Sequence, residues 1–133
     1  QLSRSFVALR AWLALKSAGA ERYRAQVEQN IEQAAWLSDL IDRQPELQRL
    51  APTALNIVNF RYYDASLADD RLDELNAEIL MRLHERGIAT PSSTVLGGRF
   101  SIRVANCNHR SRREDFAALV DGTLSIGREL LGR

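Results

Sequence analysis

The sequence predicts an α+β domain: a small, mainly antiparallel sheet with helices packed on one face. Three observations lead to this. Apolar residues recur at spacings of three and four over several long stretches, and Gly or Pro closes the first three of them. A β-branched and aromatic run over residues 55–63, and two extended segments about Gly97-Gly98, read as strands. No regular strand–helix–strand alternation joins these elements, so a doubly wound parallel sheet is not expected.

Residues 4–18 carry Phe6, Leu9, Leu13 and Lys16 at helical spacing, with Val7, Trp12 and Leu15 beside them. Apolar surface covers so much of this helix that it needs covering on more than one side, or sits between two domains. Gly19 ends it. A second helix is expected over residues 20–43, with Val27, Ile31, Ala34, Leu37 and Ile41 as its apolar stripe and Pro45 as its stop. Residues 47–50 suit a short strand. The run 55–63 suits an interior strand with apolar side chains on both faces. Asp69 or Asp70 is the expected cap of a third helix, whose stripe is Leu72, Leu75, Ile79 and Leu83 and which stops at Gly87. Residues 88–95 and 99–107 form a hairpin about Gly97-Gly98. Ser111-Arg112-Arg113-Glu114 has the capping-box pattern and opens a last helix, with Phe116, Leu119, Val120 and Leu124 on one side.

The 133 residues suit one domain, and no apolar run reaches the roughly 18 residues that span a bilayer. No positively charged leader precedes an apolar segment, so a signal peptide is not expected, and the start at Gln1 reads as mid-protein. Cys107 is the sole cysteine, which excludes a disulfide within the chain and fits a reducing, cytoplasmic setting. A net charge of +1 implies no polyanionic partner. The cluster His109-Arg110-Ser111-Arg112-Arg113 lies where a helix start favours anions, but it lacks interleaved aromatics and reads more simply as a solvated turn. His84, His109 and Cys107 have no metal spacing. There is no glycine-rich phosphate loop and no nucleophile elbow.

One residue stands out. In the strand Phe100-Ser101-Ile102-Arg103-Val104-Ala105, alternation sends Phe100, Ile102 and Val104 toward the helices. Arg103 then lies on the opposite face, between small neighbours. An arginine so placed suits bidentate binding of a carboxylate or phosphate. It equally suits an exposed strand position, or pairing with a structural acid.

A resemblance adds a function. Leu2-Ser3-Arg4-Ser5-Phe6, then Leu9-Arg10-Ala11-Trp12 and Gly19, is similar to the helix that leads into the small domain of group II pyridoxal-phosphate-dependent amino-acid decarboxylases. The Asn56-Ile57-Val58-Asn59-Phe60-Arg61 run resembles that family's central small-domain strand. Leu72–Asn76, closed by Arg86-Gly87, resembles its next helix. Residues 99–106, with Asn108 and Arg113-Glu114-Asp115, resemble its closing strand and last helix.

The resemblance implies a fold-type-I small domain over residues 19–133, reached by a connecting helix over 1–18, with the large domain outside the chain. It implies a cytoplasmic homodimer that converts an L-amino acid to an amine and CO₂ on pyridoxal 5'-phosphate. The Schiff-base lysine and the cofactor's other partners belong to the large domain. Lys16, the only lysine, matches a helical position instead, so the chain alone is expected to bind no cofactor and to be inactive. Its expected partners are its own large domain, a second subunit and the amino-acid substrate, with no nucleic acid and no membrane. Arg103 matches the family arginine placed to hold the substrate carboxylate. An aminotransferase or lyase of the same fold type, or a free-standing α+β binding module, are the other readings. The decarboxylase reading expects apolar area left exposed on the first helix and on one sheet face.

Overall fold

The structure is a computed structural model that describes residues 6–133. Its elements run in the order α1 (Val7–Ala18), α2 (Ala20–Asp42), β1 (Leu47–Arg49), β2 (Ile57–Tyr62), α3 (Asp69–Glu85), β3 (Ser92–Leu96), β4 (Arg99–Ala105) and α4 (Arg113–Leu130). The strands form one sheet in the order β1-β2-β4-β3, with every neighbouring pair antiparallel. The expected α+β class holds. The expected residues at positions 4 and 5 of the first helix lie outside the described residues.

The β3–β4 hairpin follows directly from the sequence. Gly97 and Gly98 both take positive φ, at 57° and 80°, as a two-residue hairpin turn demands and as glycine does without steric cost. Gly19 likewise adopts φ 78° between α1 and α2, and its N–H closes the last turn of α1 on the Leu15 carbonyl at 2.9 Å.

One core joins α2, α3, α4 and a single face of the sheet. Ala34, Leu37 and Ile41 meet Ile79, Leu83, Leu119, Val120 and Leu124 over Val58, Phe60, Tyr62 and Ile102. Phe100 and Val104 pack against it from the same face, as strand alternation requires.

Several local expectations shift. The α2 stripe is buried only from Asn30 onward, while Val27 stays 56% exposed. Asn30 and Gln33 are buried in polar contacts instead. Gln33 Oε1 accepts from Asn106 Nδ2 at 2.8 Å, and Gln33 Nε2 donates to the Ser111 carbonyl at 2.8 Å. Strand β2 is interior, with Val58, Phe60 and Tyr62 on the core face and Asn59 and Arg61 beside Ile57 on the other. Neither Asp69 nor Asp70 caps α3. The N-cap is Ala68, and Asp69 turns instead to Arg61. The cap of α4 lies one residue later than the Ser111–Glu114 pattern: Asp115 accepts the Arg112 N–H at 2.9 Å.

Where β2 and β4 diverge, α3 supplies the missing hydrogen bonds. Fully buried Asn76 accepts the Tyr62 N–H at 2.6 Å and donates to the Tyr62 and Leu72 carbonyls at 2.9 and 2.7 Å. Asp73 accepts the Phe100 N–H at 2.8 Å. Buried backbone groups must be paired, so this asparagine sets how α3 seats on the sheet. Asn76→Leu, similar in size but without these bonds, leaves two buried backbone groups unmet. It is expected to lower stability by about 2–5 kcal/mol, read from the urea midpoint.

Candidate functional site

The sheet has a helix face and a polar face. Register places Gln48 opposite Arg61, Asn59 opposite Arg103, and Ser92 opposite Arg103 on the other side. Directly paired residues share a face. Gln48, Asn59, Arg61, Ser101 and Arg103 therefore form a polar row across β1, β2 and β4. The apolar sheet face expected to lie exposed is thus a polar one.

Two arginines in this row differ sharply. Arg61 is only 1% exposed. Its Nε donates to Gln48 Oε1 at 2.9 Å and its Nη2 to Asp69 Oδ1 at 2.8 Å, while Nη1 lies 3.8 Å from Asp73 Oδ1. The guanidinium also lies 5.8 Å from the Tyr63 ring centroid. A buried cation needs such partners. Arg61 is structural. Asp69 also meets Arg99, at 3.4 Å. The hydrogen bond from Arg61 is the main reason that its carboxyl titrates below the usual range.

Arg103 has none of this. It is half-buried in the middle of β4, and its guanidinium makes no hydrogen bond or ion pair among the described residues. Its backbone is held: β2 and β3 pair with it on both sides, and Ser92 Oγ donates to its carbonyl at 3.2 Å. The alternation argument placed this side chain away from the helices, and register agrees. A rigid backbone carrying an uncommitted five-donor fork is suited to an anionic ligand.

The other sequence candidates do not gather around it. His84 is exposed, with Nε2 2.8 Å from the Pro91 carbonyl. His109, Arg110 and Arg112 are exposed on the turn before α4, and Arg113 lies 5.7 Å from the Trp36 ring centroid. Cys107 is an exposed free thiol just past β4. Lys16 is exposed on α1, its ammonium 5.7 Å from the Trp12 ring centroid. Among the described residues, no group of three or more His, Cys, Asp or Glu could hold a metal ion. No helix there is long and apolar enough to cross a membrane.

Sequence reading missed Asn59. Its spacing from Arg61 marks a polar face of β2, but only the pairing of β2 with β4 puts it beside Arg103. That pairing joins residues more than 40 apart and has no local signature.

Helix α1 has no buried residue. Phe6 beside it and Val7, Leu9, Trp12, Leu13 and Leu15 along it are all exposed, as expected of a helix meant to be covered by further polypeptide.

Fold and sequence together relate this chain to the group II pyridoxal-phosphate-dependent amino-acid decarboxylases over a small domain. It is similar to the aromatic-L-amino-acid decarboxylase of Bacillus atrophaeus, with 28% identity over 131 residues, 98% of this chain and 27% of that protein. It is similar to tyrosine decarboxylase 4 of Petroselinum crispum, with 30% identity over 108 residues, 78% of this chain and 21% of that protein. The fold superposes with a TM-score of 0.87 on the crystal structure of Oryza sativa TDC with PLP and tryptamine. Identity there is 23%, over 96% of this chain and 28% of that one. No family model matches. The chain thus spans about a quarter of the length of the relatives it matches.

The chain's one lysine, Lys16, is exposed on α1 with its ammonium against the Trp12 ring.

Proposed function

We propose that this chain is the C-terminal small domain of a pyridoxal-phosphate-dependent decarboxylase, and that the parent enzyme converts an aromatic L-amino acid to an amine and CO₂. Residues 1–18 are the connecting helix and residues 19–133 the small domain. The parent is a cytoplasmic fold-type-I homodimer. Its large domain holds the cofactor, which supplies the electron sink for decarboxylation. The chain alone is inactive, because its only lysine, Lys16, belongs to the connecting helix rather than to the large domain.

The observation that carries this reading is the uncommitted guanidinium of Arg103, set on a doubly paired strand. Arg103 binds the substrate carboxylate. A two-point ion pair fixes the direction of the Cα–carboxylate bond, and such positioning is a major source of rate. The apolar residues of α1 support the reading as the seat of the large domain or the second subunit. The names of the matched relatives support an aromatic substrate.

The test is product analysis with the full-length polypeptide that carries this chain. L-tryptophan, L-tyrosine and L-phenylalanine are each supplied with pyridoxal phosphate. Release of the matching amine with equimolar CO₂ is the expected result. A keto acid without CO₂ would instead identify an aminotransferase.

Acid should loosen the domain in a predictable way. The folded carboxyl of Asp69 titrates below its unfolded value, chiefly through the hydrogen bond from Arg61. The stability this contributes is therefore fully present above the unfolded carboxylate pKa of about 4. It is lost as pH falls through that value toward the lower folded one. Asp69→Asn is expected to flatten this acid limb in urea unfolding measured from pH 6 down to pH 2.

A further inference from the structure

We infer that Asn59 is a positioning residue for Arg103: its side-chain oxygen accepts a guanidinium N–H and holds the fork toward the bound carboxylate. This rests on the carboxylate-binding reading of Arg103 and adds a second residue to it.

Three observations carry the inference. Asn59 and Arg103 are direct partners across the antiparallel β2–β4 pair, so their side chains leave the same face as neighbours. Asn59 Oδ1 is buried and accepts no hydrogen bond among the described residues. A buried acceptor normally has a donor.

Most of the donors around it are already engaged. The Arg61 guanidinium, two residues along the same face, gives its Nε to Gln48 and its Nη2 to Asp69, while its buried Nη1 makes no hydrogen bond and lies 3.8 Å from Asp73 Oδ1. The Ser101 hydroxyl donates to main-chain carbonyls at 3.3 and 3.4 Å. The Ser92 hydroxyl donates to the Arg103 carbonyl. Arg103 alone has its full complement of N–H groups free among the described residues. A carboxylate engages two of the five donors of an arginine, so one remains for Asn59 while the substrate is bound. Arginine also carries large rotamer entropy, and a lateral acceptor reduces what binding must immobilise.

The experiment uses the full-length protein and whichever of L-tryptophan, L-tyrosine and L-phenylalanine it decarboxylates. Each is paired with its amine: tryptamine, tyramine or phenethylamine. The amine lacks the carboxylate but keeps the rest of the molecule. Asn59→Leu, similar in size but without the acceptor, is expected to raise KM for the amino acid about tenfold, the effect of one charge-assisted hydrogen bond. The expected change in kcat is less than about threefold, and inhibition by the amine stays unchanged. Asn59→Asp retains an acceptor and should keep KM near wild type. In an Arg103→Gln background, Asn59→Leu should add nothing.

Equal loss of amino-acid and amine binding would show a merely structural role and overturn the inference. So would an unchanged KM, or full additivity with Arg103→Gln. Should Asn59→Leu fail to fold, Asn59→Ala answers the same questions. An unaltered KM in Arg103→Gln itself overturns the carboxylate reading, and this inference falls with it. If Arg103→Gln raises KM while Asn59→Leu does not, only the role of Asn59 falls.

Discussion

Arg103→Gln in the full-length protein is expected to lower kcat/KM for the L-amino acid by about 10²- to 10³-fold. The substitution keeps some length and polarity but removes the charge and the fork. Truncating one partner of a desolvated charge pair costs about 2–5 kcal/mol, and each 1.4 kcal/mol is a factor of ten. Arg103→Lys should recover only part of the loss, because an ammonium offers a point charge rather than two parallel donors. The cofactor's absorbance should stay unchanged in both variants, since Arg103 reaches substrate rather than cofactor in this reading. Steady-state kinetics beside a visible spectrum decides it. An Arg103→Gln enzyme within threefold of wild type would remove the carboxylate clamp. The domain should still fold, because no hydrogen bond or ion pair of this guanidinium holds the fold together among the described residues.

Gly127→Ala should destabilise the domain by about 2 kcal/mol, or roughly 6–8 °C in Tm. A glycine inside a helix usually gains from replacement by alanine, by up to about 1 kcal/mol. Here α4 lies against the Tyr62 ring at Gly127. A Cβ added there would come within 2.9 Å of Tyr62 Cζ, and closer still to Cδ2 and Cε2. The ring has nowhere to go. Tyr62 is fully buried, and its hydroxyl donates to Glu46 Oε1 at 3.0 Å. Glu46 is itself held by Arg128 from the same helix. Burial and that hydrogen bond push the Tyr62 phenol up to about 12. Gly122→Ala is the natural comparison. The nearest atoms to its added Cβ are Ile88 Cγ2 at 2.9 Å, on a half-buried side chain, and Leu83 Cδ2 at 3.1 Å, both aliphatic and farther off than the Tyr62 ring is from Gly127. Its loss should be distinctly smaller. Thermal unfolding of the two variants side by side tests the argument.

Much of the candidate site was legible in the sequence, and the reason is local. The period-two alternation over residues 100–105 fixed which side chains share a face, and the apolar set had to meet the core. That alternation alone places Arg103 on the face away from the core, and the register agrees. The Gly97-Gly98 turn was legible for a similar reason, since only glycine takes two successive positive φ values so readily. The caps were less so. Asp69 sits at a helix start, where sequence rules make it a cap, but a buried arginine exerts the stronger claim on its carboxylate. At the next start Arg112 is the N-cap, and Asp115 takes the place assigned to Glu114.

The sequence by itself determined the class of fold, the order of its elements, the likeness to decarboxylases and the face on which Arg103 lies. Each of these depends on residues close together in the chain, or on their order along it. Tertiary structure alone decided that Arg61 is buried and bound while Arg103 is free among the described residues, and that Asn59 stands beside it. Those facts depend on which strands become neighbours. The β2–β4 pairing joins segments far apart in the chain, and it forms only as the strands and helices close over a shared core.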